Sequence, residues 1–99
     1  MARKTRRTTG NVFIALGFAP DEAGNLKLRA QLMVELTKLI RARGLTQTQA
    51  ARLFGVNQPR VSDLVRGRID RFSIDMLVAM LGRAGAEVSL QIRPARKAA

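Results

Sequence analysis

Gln58, Pro59, Arg60, Ser62 and Asp63 crowd into one short stretch of the chain. Their chemistry suits the edges of stacked bases. A glutamine amide can pair with adenine, an arginine fork can give two hydrogen bonds to guanine, and a proline ring can meet a thymine methyl. Ser62 and Asp63 are less specific: Asp63 could accept from a cytosine amino group or simply orient Arg60. Alone, such a run is an exposed polar face without a ligand. It gains meaning because Val61, Leu64 and Val65, at helical spacing, should bury the opposite side and aim the polar set outward, near the helix's amino end.

A second chemistry surrounds the first. Gln47 falls at the start of a preceding helix, where a side-chain amide and free backbone N–H groups can grip a phosphate. Arg66, Arg68 and Arg71 follow the polar run and can reach a phosphate on the other flank, and Asn57, at the start of the polar helix, is counted with them. Arg43 and Arg52 are weaker candidates, since a lone arginine is usually a solvated charge.

The elements that would position these groups can be read from caps and periodicity. Thr46 and Gln49 have the spacing of a capping box. Ala50, Leu53 and Phe54 should face inward, Ala51 should be small because two helices cross there, and Gly55 supplies the positive φ of a tight turn. Val56 plugs the turn. Asn57 caps a second helix, which tolerates Pro59 in its first turn and ends at Gly67. Residues 46–66 therefore read as a helix-turn-helix, which lays a short helix in the major groove of DNA.

Around this pair, Pro20, Asp21 and Glu22 suit a helix start, but Gly24 weakens it and places the firm beginning near Leu26. Leu28, Leu32, Met33, Leu36, Leu39 and Ile40 form one apolar stripe, with Lys27, Arg29, Lys38, Arg41 and Arg43 largely off it. Gly44 closes that helix. Phe72 and Leu77 can staple around Ser73, the cap of a last helix whose stripe is Ile74, Leu77, Val78 and Leu81, stopped by Gly82 and Gly85.

Two segments fall outside the helices. Residues 11–18 (Asn-Val-Phe-Ile-Ala-Leu-Gly-Phe) are a compact apolar block, either one helical turn or a strand. Val12, Phe13, Leu16 and Phe18 should be buried, on their own domain by preference or on a partner protein. Residues 87–93 change period: Val88, Leu90 and Ile92 alternate with Ser89, Gln91 and Arg93, the pattern of a half-buried strand stopped by Pro94. A lone strand cannot satisfy its own backbone. It must pair with residues 11–18 or with its copy in a second subunit, and the expectation is the second, an antiparallel pair across a two-fold that makes Val88, Leu90 and Ile92 a dimer contact.

Composition bounds the rest. The chain has 99 residues, 18 Lys and Arg against 7 acids, and net charge +11. That is one small domain, with a core marginal enough for dimerisation to be unsurprising. The charge points to an anionic partner, nucleic acid first and a membrane surface second, although some small basic proteins are merely soluble. There is no Cys and no His, which removes the commonest metal ligands, thiolate nucleophiles and general bases. No enzyme, metal site or cofactor is expected. No apolar run approaches the roughly 20 residues that span a bilayer. Arg6-Arg7 followed by residues 12–19 mimics a twin-arginine signal, but the stretch is short, holds Gly17 and leads to no small-residue cleavage site, so a cytoplasmic protein is expected. Residues 1–10 should be a disordered basic arm, equally able to lie along phosphates or to be a solvated tail, residues 11–93 one domain, and residues 94–99 a tail.

Gly44-Leu-Thr-Gln, Ala51 with Gly55, Gln58-Pro-Arg-Val-Ser-Asp-Leu and Gly67 together resemble the lambda-repressor/Cro type of helix-turn-helix, the XRE family, over about residues 26–85. More narrowly, residues 44–72, with Asn11-Val-Phe before them and a strand ending at Arg93-Pro94 after them, are similar to XRE-type antitoxins of HigBA-like toxin–antitoxin operons. The resemblance implies a mainly all-α domain of five packed helices, here with the one C-terminal β-strand, and a homodimer reading a palindromic operator on double-stranded DNA. It places Gln58, Pro59 and Arg60 at base-reading positions and Gln47 and residues 66–71 at phosphate contacts. The antitoxin branch further implies repression of its own operon and a small RNase toxin as partner, although no toxin-neutralising motif is identifiable. The competing expectations are a stand-alone XRE regulator without a toxin and a non-specific nucleic-acid-binding protein.

Overall fold

The helix boundaries are set by short-range chemistry that recurs at almost every junction. In the computed structural model, which describes residues 16–94, helix α1 runs Pro20–Arg43, α2 Gln47–Phe54, α3 Gln58–Val65 and α4 Ile74–Arg83, with a 3-10 turn at Ile69–Arg71 between the last two. The Thr46 hydroxyl accepts from the Gln49 N–H at 3.1 Å while the Gln49 side chain accepts from the Thr46 N–H at 2.9 Å, so both halves of the capping box form. The Asn57 side chain accepts from the Arg60 N–H at 2.9 Å and Ser73 from the Met76 N–H at 3.1 Å. Each cap satisfies a backbone donor that the helix itself leaves unpaired.

The turn between α2 and α3 depends on Gly55. Its φ is 72°, left-handed backbone that a side chain would strain, and the Val56 N–H donates back to the Ala51 carbonyl at 3.0 Å. A Cβ at Gly55 would also strike the guanidinium of Arg83, which lies across the turn from α4.

α1 starts at Pro20, earlier than the expected start near Leu26. Ala23 and Leu26 are both buried there. Burial of that first turn, together with Pro20 and the acids Asp21 and Glu22 at the positive end of the helix dipole, outweighs the cost of Gly24. From α1, Leu32, Met33, Leu36 and Ile40 enter the common core, which they share with Ala50, Ala51 and Phe54 of α2, Val61 and Leu64 of α3, Phe72, and Leu77, Met80 and Leu81 of α4. Leu28 and Leu39 pack against it half-buried. Phe72 and Leu77, the expected staple, are both buried in this core. Ala51 is buried, as a close crossing of α2 and α3 requires.

Several expectations are corrected. Val65 and Val78 are exposed, at 43% and 37%: each lies at the margin of its helix's apolar arc, where no neighbouring helix covers it. Leu16 is 69% exposed and Phe18 37%, so within the described part of residues 11–18 the apolar side chains are not taken into the core. The described residues hold four α-helices and no strand, not five helices and a strand. Residues 86–94 carry no regular structure, and Val88, Leu90 and Ile92 are 41%, 74% and 83% exposed. The physical reason is the one that demanded a partner: among the described residues no second strand stands beside this segment, so its backbone has no ladder to join. The expected arm, residues 1–10, the start of the apolar block, residues 11–15, and residues 95–99 of the tail lie outside the described residues.

Candidate nucleic-acid interface

α3 is short, and its two faces are unlike. Val61 and Leu64 are buried completely or nearly so, which fixes the helix's rotation. Gln58 and Pro59, in the first turn, are exposed, and no other group of the described residues engages the Gln58 amide. Of the base-reading candidates, these two stand clear of the protein. Ser62 is half-buried.

Arg60 and Asp63 are committed to internal contacts. The Arg60 guanidinium donates to the Arg71 carbonyl at 2.9 Å and lies over the Phe72 ring, 5.6 Å from its centroid. Asp63 does not orient Arg60. Its carboxylate, 18% exposed, lies 3.5 Å from Arg71 and 3.9 Å from Arg68. The chain bends back after Gly67 (φ 73°), bringing the loop arginines alongside the helix they follow. One base-reading candidate, Arg60, and Asp63 beside it thus cluster with the phosphate-gripping candidates Arg68 and Arg71, while Gln58 and Pro59 project free on the same helix.

The remaining phosphate candidates divide. Gln47 is the first residue of α2, half-buried at that helix's amino end, beside the exposed Thr46 and Thr48. Asn57 is exposed, and its side chain is already used as the cap of α3. Arg66 caps the carboxyl end of α3 and is exposed, with no ion-pair partner among the described residues. Arg43, the weaker candidate, donates to the Ala84 carbonyl at 3.3 Å and so ties α1 to the end of α4. Arg52 is exposed on α2.

Two residues that organise this surface carry no sequence signal. Arg29 of α1 donates to the Ile69 carbonyl at 3.0 Å and to the Phe72 carbonyl at 3.2 Å, while its Nε donates to the Asn25 side chain at 2.7 Å. It pins the basic loop from behind. Arg83 covers Gly55. Nothing local in sequence distinguishes either from a solvated charge, because their partners come from other elements.

The electrostatics are simple. Cations dominate the cluster, with Asp63 set among them as the nearest opposite charge to Arg68 and Arg71. Among the described residues there is no group of three or more His, Cys, Asp or Glu that could hold a metal ion, and no helix is long and apolar enough to cross a membrane. The arrangement offers hydrogen-bonding side chains at a helix tip and arginines on its flank, which is equipment for binding a polyanion and reading what it carries. A family model described as a helix-turn-helix domain matches residues 15–93. No curated protein matches the chain.

Proposed function

The chain belongs to the helix-turn-helix domain family, and from that premise we propose that it is a sequence-specific repressor whose α3 enters the major groove. The observation that carries this reading is the exposure of Gln58 and Pro59 on the first turn of α3 while Val61 and Leu64 lock its opposite face. In this reading Gln58 pairs with adenine and Pro59 meets a thymine methyl. Arg60 contributes a guanine contact when it swings from Phe72, and Ser62 and Asp63 border the base pairs. Gln47, Asn57, Arg66, Arg68 and Arg71 set the register on phosphates.

The protein acts as a homodimer on a palindrome in this reading. The support is the unpartnered alternation of Val88, Leu90 and Ile92, exposed in the single chain. Antiparallel pairing of two copies of residues 87–93 supplies each with a backbone partner that the described residues do not provide and buries those three side chains. Half-sites then lie about one helical turn or a multiple of it apart. The test is a footprint on the gene's own promoter, followed by mobility shifts with the protected duplex and a scrambled one. Equal affinity for both duplexes overturns sequence reading and leaves non-specific nucleic-acid binding.

The antitoxin role rests on the XRE and HigBA-like resemblance, with one observation in its favour: Leu16 and Phe18 are exposed ahead of the helix-turn-helix, an apolar surface suited to a small RNase toxin. Removing residues 1–18 should spare operator binding and abolish co-purification with the product of the neighbouring gene. Absence of a small open reading frame beside this gene favours the stand-alone regulator.

A further inference from the structure

A cleft of about 570 Å³ lies between the middle of α1 and the last turn of α3. Met33 and Val34 form one wall, Val65 and Ile69 the other. Two valines face water there, Val34 at 54% and Val65 at 43% exposure. The hydroxyl of Thr37, also in the lining, already donates to the Met33 carbonyl at 2.9 Å. Lys38 and Arg41 complete the lining, and it contains no acid. Arg41 makes no ion pair among the described residues, and Lys38 only a loose one, 3.5 Å from Glu35 with both side chains largely in solvent.

An apolar trough with two cations at its border matches a ligand with an apolar body and an anionic head. Its volume lies within the roughly 300–1,000 Å³ of small-molecule sites, and an apolar lining with a few polar groups is their usual make-up. We infer that this cleft binds a small amphipathic anion, a carboxylate or sulfonate on an aromatic or medium-chain body. A second copy of the chain is the poorer occupant: it carries +11 itself and brings its own Lys38 and Arg41 against cations that an anion neutralises.

The site adjoins the DNA-reading surface. Leu64 and Val65 belong to the last turn of α3, and Gly67 and Ile69 to the loop that carries Arg66, Arg68 and Arg71. A ligand wedged there acts on both, so its binding and that of a duplex should be linked, and linkage is reciprocal. This coupling rests on the proposed DNA reading. Ligand binding itself does not.

The full chain titrated with anilinonaphthalene sulfonate, and separately with decanoate in competition, tests the site. Saturable one-to-one binding is expected, with amide NMR shifts centred on Val34, Thr37, Val65 and Ile69. Lys38→Gln with Arg41→Gln should weaken it about tenfold, and Val34→Lys should abolish it, with helix content unchanged. Saturating decanoate should change operator affinity by about fivefold or more, the lower end of common coupling strengths. The inference is overturned if shifts centre on residues 88–92, or if the charge variant binds as tightly as the parent. It is also overturned if Val34→Lys dissolves a dimer, making the occupant a second copy, or if only an acidic peptide binds. Probe binding without any change in operator affinity overturns the coupling alone. Failure to prefer the operator in the absence of probe overturns the DNA reading alone.

Discussion

Arg60 holds one position in the free protein and is proposed to take another on DNA, and replacing it separates the two. In the free protein the guanidinium lies 5.6 Å from the Phe72 centroid and donates to the Arg71 carbonyl. A cation that solvent still reaches, as this half-buried guanidinium is, gains about 0.5–1 kcal/mol from the ring beneath it. A charged hydrogen bond to a carbonyl contributes at most about 1.5–3 kcal/mol, and solvent access to this half-buried side chain takes it below that range. Together about 1–2 kcal/mol holds Arg60 to the loop. A two-bond contact to guanine discriminates by about 1–3 kcal/mol. If the fork must leave Phe72 to make it, the net gain falls to about 0.5 kcal/mol, roughly two- to threefold at one base position. Arg60→Ala should therefore lower the melting temperature by about 4–8 °C per kcal/mol lost, the scale for a domain of this size, and relax a single base position by only about two- to threefold. Arg60→Lys should keep the charge but lose the fork, so it should show the same relaxed position with a smaller thermal loss. Gln58→Ala is the contrast: with its amide unengaged, it should leave the melting temperature unchanged and cost about 1–3 kcal/mol at its own base. Calorimetry and competition binding against single-position operator variants measure both quantities. An unchanged melting temperature in Arg60→Ala would refute the docking reasoning. Equal losses on operator and scrambled duplex would refute the base-reading role.

Arg68→Ala and Arg71→Ala should each weaken binding to every duplex and reduce the slope of log affinity against log salt by about 1, without altering base preference. Asp63→Asn, which frees both arginines, should steepen that slope and raise affinity for scrambled DNA, both seen in a salt titration. Gly55→Ala should cost about 1–2 kcal/mol for left-handed backbone plus the displacement of Arg83; adding Arg83→Ala should remove only the second part, and Gly44→Ala, with open space around it, should show only the first, all by thermal melts. Leu90→Lys with Ile92→Lys should give a monomer by sedimentation while the single-chain helix content stays constant, and operator affinity should fall because only one half-site is then engaged.

What the sequence discloses here is what is decided within a few residues. The Thr46–Gln49 box, the Asn57 and Ser73 caps and the turn at Gly55 are local bargains between a side chain and a nearby backbone group, so residue type and spacing suffice. Burial is legible only as a direction. Periodicity puts Val65 and Val78 on the inner arcs of their helices, but whether a neighbour covers the edge of an arc depends on how the helices cross, which one helix's sequence does not encode. The alternation at residues 87–93 is plain, yet a strand is a relation between two segments, and the described residues hold no second one. Arg29 was indistinguishable from the other basic residues off the α1 stripe, since the carbonyls it holds lie 40 and 43 residues away. Sequence reading also sends Arg60 outward, because it cannot foresee that the loop following α3 returns to give it a ring and a carbonyl.

That returning loop is the part of the interface with the least regular structure and the most side-chain anchorage. Its carbonyls at Ile69 and Phe72 accept from Arg29, its carbonyl at Arg71 accepts from Arg60, and its arginines at 68 and 71 pair with Asp63. Two of the three anchoring residues, Arg60 and Asp63, belong to α3, the helix that presents Gln58 and Pro59. The spacing between the candidate base-reading tip and the flanking cations is therefore set mainly by α3, with Arg29 of α1 bracing the loop from the other side. Cations held in advance lose less side-chain entropy when they meet a phosphate than cations on a free loop, for which ordering a long side chain costs up to about 2 kcal/mol each. On the proposed DNA reading the same anchorage sets a limit: each arginine that turns toward DNA must loosen its hold on Asp63, which stays behind as a negative charge inside a surface proposed to meet phosphates. An acid there penalises indiscriminate approach to the polyanion, and the penalty is offset only where α3 seats deeply enough to gain its base contacts. On this argument Asp63 favours discrimination by weakening every complex that has no correct bases to offer.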